Sequence, residues 1–178
     1  MIHLITVSGD SAKDFYLRQK LIPDFKSLIR TITSKRVIIV STWFRSDLFY
    51  CTDEPKDESI LKLWALYTNA DLSKINSEDF SSSRGDSESL TDYFVSINKL
   101  SANQLYYRLY QKAFDVTLSN DQRNPVARKI LESDQFITQK PNVIRSPLIN
   151  SSCAINSIPS KDTFSLAMGI INDEVHCN

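Results

Sequence analysis

Residues 8–13, Ser-Gly-Asp-Ser-Ala-Lys, follow an apolar run and open a polar stretch, the position a phosphate-cradling loop would take. Such a loop needs a second glycine for close backbone approach and a Gly-Lys-Ser/Thr ending, and both are missing. Gly9, Gly85 and Gly169 are the only glycines, so a dinucleotide fingerprint cannot be assembled either. Gly9, Asp10 and Ser11 therefore read as a turn and helix cap, with Ser11 and Asp14 spaced as a capping box. Nucleophilic catalysis has no Gly-x-Ser-x-Gly elbow to start from, and His3 and His176 stand in no context that pairs them with a nucleophile. Cys51, Cys153 and Cys177 lack Cys-x-x-Cys spacing, so a zinc site would have to draw ligands from scattered positions. Acidic residues gather between 46 and 92, in segments expected to be loops, where the rigid carboxylate geometry of metal-assisted hydrolysis is hard to hold. Neither an enzyme nor a resident metal or cofactor is expected.

The elements that would position any functional group alternate strand and helix. Residues 3–7 and 36–44 are continuous apolar, β-branched runs of the kind buried on both faces of a sheet. Between them Pro23 suits a first helical turn, and Ile22, Phe25, Leu28, Ile29 and Ile32 recur at helical spacing. The pattern predicts a βαβ unit and an α/β fold with a mixed or parallel sheet and helices on both faces. Ile60, Leu63, Trp64 and Tyr67 make a second helical stripe after the turn-rich residues 52–55. Leu90, Phe94 and Ile97, then Leu105, Leu109 and Ala113, continue the helical period up to a strand expected at 114–118. Residues 77–91 are polar, serine-rich and acidic and read as a mobile surface loop.

Composition sets the outer limits. At 178 residues, 42% of them apolar, the chain can bury a real core, most simply in one domain with a small appendage. No apolar run approaches the ~18–20 residues of a membrane span, and the odd cysteine count suits a reduced compartment, so a soluble intracellular protein is expected. The formal net charge is zero, but its distribution is uneven. Residues 1–45 carry eight Lys/Arg against three Asp/Glu, residues 46–92 four against eleven, and residues 93–165 nine against five. Two basic blocks flank an acidic one, a pattern that permits a nucleic-acid-facing side.

The order of the last third is the strongest clue to function. It runs from a helix at 105–112 and a strand at 114–118 to a helix at 124–133, with a joint at Phe136, Lys140 and Pro141. Two short helices then follow at 152–158 and 161–171 around Pro159 and Ser160. Over about residues 100–171 this resembles the XPF/Rad10 family, in particular its non-catalytic partner subunits. The resemblance implies an XPF-nuclease-like domain over residues 1–141 and a short, degenerate helix-hairpin-helix segment over residues 142–178. The chain departs from the family in three ways: it lacks the Glu-Arg-Lys triplet of the catalytic subunits, has no second hairpin motif, and carries Pro159 where DNA-binding hairpins usually have glycine.

Among the non-catalytic relatives the chain looks most like the small sporulation-protein subunit of the meiotic crossover-promoting, synapsis-initiating pair. That implies a nuclear, chromosomal protein, an obligate partner of an XPF-like larger subunit, which binds branched recombination DNA and promotes crossovers. The alternative is a small intracellular α/β adaptor subunit with no nucleic-acid role. The residues that would face DNA are Arg123, Arg128, Lys129, Lys140, Arg145 and Lys161, spread along the helix and hairpin region. Ile149, Ile155, Ile158, Phe164, Leu166, Met168, Ile170 and Ile171 are too many large apolar groups for a ~30-residue appendage to hide alone, so several are expected in the partner interface.

Overall fold

The structure, a computed structural model, describes residues 1–34, 36–141, 143 and 145–149. It is mixed α/β. The elements are β1 (Ile2–Ser8), α1 (Ile22–Ile29), β2 (Ile38–Ser41), β3 (Arg45–Cys51), α2 (Asp57–Thr68), β4 (Phe80–Arg84), α3 (Asp86–Ser101), α4 (Gln104–Asp121) and α5 (Pro125–Thr138), with short 3-10 turns between them. The chain divides after Ser89 into two compact units, the first holding the sheet and the second the helices that follow it.

The sheet corrects the βαβ expectation. Its order is β2-β3-β1-β4 and every neighbouring pair is antiparallel, so it is neither parallel nor mixed. The run at 36–44 is not one strand. β2 ends at Ser41 and the chain turns back at once, with Thr42 N–H donating to the Arg45 carbonyl at 2.8 Å and Thr42 Oγ1 to the same oxygen at 2.7 Å. β3 thereby inserts between β2 and β1, which run in the same direction without touching as a pair. A two-residue reversal can join only antiparallel neighbours, which is why the topology follows from the turn.

β1, β2 and β3 are buried on both faces. On one face Ile5, Val7, Ile39, Leu48 and Tyr50 form a single core with Phe25 and Ile29 of α1 and Ile60 and Trp64 of α2. Trp64 Nε1 donates to the Phe15 carbonyl at 2.9 Å, so its polar handle is satisfied inside that core. The register Thr6↔Asp47 puts polar groups on the opposite face. There Thr6 Oγ1 donates to Asp47 at 2.6 Å, and Arg45 grips the same carboxylate with Nε at 2.7 Å and Nη2 at 2.8 Å.

Residues 77–91 carry β4 and the start of α3 rather than a loop. A serine-rich segment cannot build a core of its own, but it can complete a sheet edge with its backbone, and it does so against β1 from His3↔Arg84 to Val7↔Phe80. Gly85 N–H donates to the Ile2 carbonyl at 2.9 Å, and Asp86 Oδ1 accepts from Ile2 N–H at 2.7 Å. Asp79, ahead of β4, takes the capping role expected of Asp14. Its Oδ2 accepts from Ser11 N–H at 3.0 Å and Ser11 Oγ at 2.9 Å. Gly9 has φ +63, and a Cβ there would meet Asp79 Oδ1 at 2.2 Å, so glycine is required on two counts.

The strand expected at 114–118 lies inside α4. Tyr107, Tyr110, Phe114 and Leu118 recur at three- and four-residue spacing and are buried along one face of that helix. Burying three aromatic rings outweighs the local alternation of Phe114, Val116 and Leu118 and sets the buried face of the helix, in place of the Leu105, Leu109 and Ala113 period. Asn103 caps the helix through Tyr106 N–H at 3.2 Å, and Asn124 caps α5 through Val126 N–H at 3.0 Å, with Pro125 at the first helical position.

Candidate functional site

The second unit sorts its basic side chains into two environments. Arg145 is the buried one. Its Nη1 donates to Asp134 Oδ1 at 2.6 Å and to the Tyr107 hydroxyl at 3.3 Å, its Nε donates to Asn98 Oδ1, and its guanidinium lies 5.6 Å from the Phe94 ring centroid. Asp134 Oδ2 accepts from Leu148 N–H at 2.7 Å, and Gln111 Nε2 donates to the Pro147 carbonyl at 2.6 Å. These bonds tie the segment 145–148 to α3, α4 and α5. Burial pushes the Asp134 carboxyl above its ordinary value, opposed by the Arg145 guanidinium and the Leu148 amide. A guanidinium held this way in the interior has no open path to a phosphate, so Arg145, expected at a DNA surface, acts here as an internal tie.

The outer face of α5 is different. Arg128 is exposed there, and Lys129 and Lys140 are half-buried. Helical spacing brings Arg128, Glu132 and Phe136 onto one side of the helix, opposite the buried Val126, Ala127, Ile130 and Ile137, with Lys129 at its flank; Lys140 follows just past the end of the helix. Lys140 Nζ stands 4.5 Å over the Phe136 ring, so its ammonium rests on the aromatic face. Arg123 is exposed at the approach to the helix. Four of the six residues expected to face DNA thus lie on or beside one helix. Lys161 lies outside the described residues.

Of the residues expected at a partner interface only Ile149 is described, and it is half-buried. Ile155, Ile158, Phe164, Leu166, Met168, Ile170 and Ile171, with the whole helix-hairpin-helix segment beyond residue 149, lie outside the described residues. An apolar surface that the sequence did not assign to a partner is on α4, where Leu105 is 65% exposed, Leu109 36% and Val116 44%. Leu105 and Leu109 were expected only to continue the helical period. The signal that separates them from the core is the competing Tyr107-Tyr110-Phe114-Leu118 stripe on the other side of the same helix.

The first unit holds one further polar group. Tyr50 donates its hydroxyl to Asp57 Oδ1 at 2.6 Å, and Arg84 Nε donates to Asp57 Oδ2 at 3.1 Å, which links β3, α2 and β4. Burial, then the bond to Asp57, raises the Tyr50 hydroxyl above its ordinary value. His3 stacks on Tyr50 with centroids 5.0 Å apart and meets the Thr52 carbonyl at 3.1 Å. A carbonyl only accepts, so Nε2 carries the proton there. Among the described residues no three His, Cys, Asp or Glu side chains are grouped to hold a metal ion, and no helix is long and apolar enough to cross a membrane. No protein-family model matches this chain, and no curated protein matches it.

Proposed function

We propose that the protein is a non-catalytic subunit of an XPF/Rad10-like heterodimer that binds branched recombination DNA and promotes meiotic crossover formation, at chromosomes in the nucleus. The observation that carries this reading is the nearness in sequence and structure of Arg128 and Lys129 on α5, Lys140 just past its end and Arg123 at its approach. The reading rests on that grouping and no longer on a final strand at 114–118. Cations spread along a helix meet phosphates without reading bases, so binding follows the backbone path of the DNA and is blind to sequence. A junction offers two backbones in one neighbourhood, and an XPF-like larger subunit would supply the second arm of the grip. The non-catalytic role rests on the sequence, which has no Glu-Arg-Lys triplet.

The exposed apolar stripe of α4 favours a second reading, a small α/β adaptor subunit that contacts proteins alone. Co-expression with an XPF-like partner separates the two. The purified pair, titrated against a four-way junction and a linear duplex with magnesium present, is expected to prefer the junction and to cut neither. Binding to neither DNA would leave the adaptor reading standing, and strand cleavage would overturn the non-catalytic role.

A further inference from the structure

Residues 145–148, Arg-Ser-Pro-Leu, form a strap that is pinned at both ends and open in its middle. Arg145 and Leu148 are buried, while Ser146 and Pro147 are exposed. One carboxylate holds both ends: Asp134 Oδ1 accepts from Arg145 Nη1 at 2.6 Å, and Asp134 Oδ2 accepts from Leu148 N–H at 2.7 Å. The middle is held by side chains of α4. Tyr107 donates its hydroxyl to the Ser146 carbonyl, and Gln111 Nε2 donates to the Pro147 carbonyl at 2.6 Å and to Ser146 Oγ at 3.2 Å. Of the six prolines in the chain, only Pro147 follows a serine or threonine. A proline also keeps the residue before it out of the helical region, so Ser146 sits in the extended backbone that a kinase cleft accepts.

We propose that Ser146 is a phosphorylation site for a proline-directed serine/threonine kinase, and that its phosphate releases the strap. In the transfer the Ser146 oxygen bonds to the γ-phosphorus of ATP, the bond from that phosphorus to the β-phosphate oxygen breaks, ADP leaves, and the hydroxyl proton passes to the base of the kinase. The new group carries about −1.5 to −2 charge at neutral pH. The groups that hold the strap have no cation to offer it except Arg145, which is already paired with Asp134. A phosphate brought beside that pair repels the Asp134 carboxylate and competes for its guanidinium, so the closed strap is disfavoured.

The anchors set the order of events. Buried residues on either side keep Ser146 from entering a kinase cleft while the strap is closed, so the kinase acts on a lifted strap and the phosphate keeps it from closing. Lifting uncovers Asn98, Tyr107, Gln111 and Asp134, the polar side chains that the strap covers. None of this rests on whether α5 meets DNA.

The test treats the full chain with a cyclin-dependent kinase and magnesium-ATP and locates the phosphate by mass spectrometry. Phosphate is expected on Ser146, and the matching signal should vanish in Ser146→Ala. Gln111→Ala loosens the strap without burying a charge and should raise the initial rate about fivefold, the factor that one lost hydrogen bond gives. Hydrogen exchange by NMR then reads the Leu148 amide of the wild-type chain. It should exchange about tenfold faster after phosphorylation, while the amides of β1 keep their protection. No phosphate on Ser146, or a rate that Gln111→Ala leaves unchanged in a variant whose circular-dichroism melt shows it folded, would overturn the site or its dependence on lifting. Leu148 exchange that phosphate leaves unchanged, or slows because the group has seated on Arg145, would overturn the release. The exchange measurement uses no substitution, so it stands whether or not Gln111→Ala folds.

Discussion

Arg145 and Arg128 are the same side chain in the same unit, and their surroundings give them opposite work. Arg145 is closed in by Asp134, Asn98, Tyr107 and Phe94 and holds the segment 145–148 against three helices. Arg128 stands on the outer face of α5 with its charge turned to solvent. The difference teaches that a count of basic residues along a stretch of sequence says little about a binding surface. What matters is whether the cation is buried together with a carboxylate, because separating such a pair would leave an uncompensated charge in the interior.

The comparison is broken most severely from the inside. Arg145→Met leaves the Asp134 carboxylate buried with the Leu148 amide but no cation, and a loss of about 3–5 kcal/mol in denaturant unfolding is expected. The loss should also become pH-dependent. Without Arg145, burial is free to raise the Asp134 carboxyl, and the folded state then binds a proton more tightly than the unfolded chain. The variant should therefore be relatively more stable in acid and lose that margin as pH rises through the raised folded value. A loss that stays the same from acid to neutral pH would show that Asp134 is not left charged and alone.

A milder case lies in the first unit. Burial, then the nearby charge of Arg30, lowers Lys26 to about 8 from 10.5. Between those values the unfolded chain carries more protons than the folded one, so stability rises with pH across that window. Lys26→Met should remove this rise and stabilise the protein near pH 7 by on the order of 1 kcal/mol, after allowing for the part of the side chain that reaches solvent. Thermal melts between pH 7 and 10.5 check both. The smallest effect belongs to the outer arginine, for Arg128→Met should shift unfolding by no more than about 0.5 kcal/mol.

The first two helices and the starts of α4 and α5 were legible because they are marked locally. Pro23 and the stripe of Phe25 and Ile29 marked α1, the Ile60-Trp64 spacing marked α2, and Asn124 with Pro125 marked the start of α5. β3 was hidden because Arg45, Ser46 and Asp47 read as surface residues. Their burial depends on partners from β1, β2 and their own strand, Thr6, Ser41 and the Arg45–Asp47 pair itself. β4 was hidden for a related reason: Ser81, Ser82 and Ser83 contribute backbone to an edge and little apolar area. At the site, the placing of Arg128 and Lys129 on α5, with Lys140 just past its end, follows from sequence once α5 is drawn as one helix. The fate of Arg145 does not, since it depends on the chain returning past Asp134 after the helix has ended.

The claim that the outer face of α5, and not Arg145, meets DNA is tested most directly by the salt dependence of binding. The pair carrying Arg128→Glu, Lys129→Glu and Lys140→Glu should bind a four-way junction more weakly, and the slope of log K against log salt should fall in magnitude by about one for each phosphate that is no longer neutralised. Arg145→Lys, compared at a temperature where it remains folded, should leave the slope unchanged. An unchanged slope in the triple variant, or a reduced slope in Arg145→Lys, would contradict that assignment.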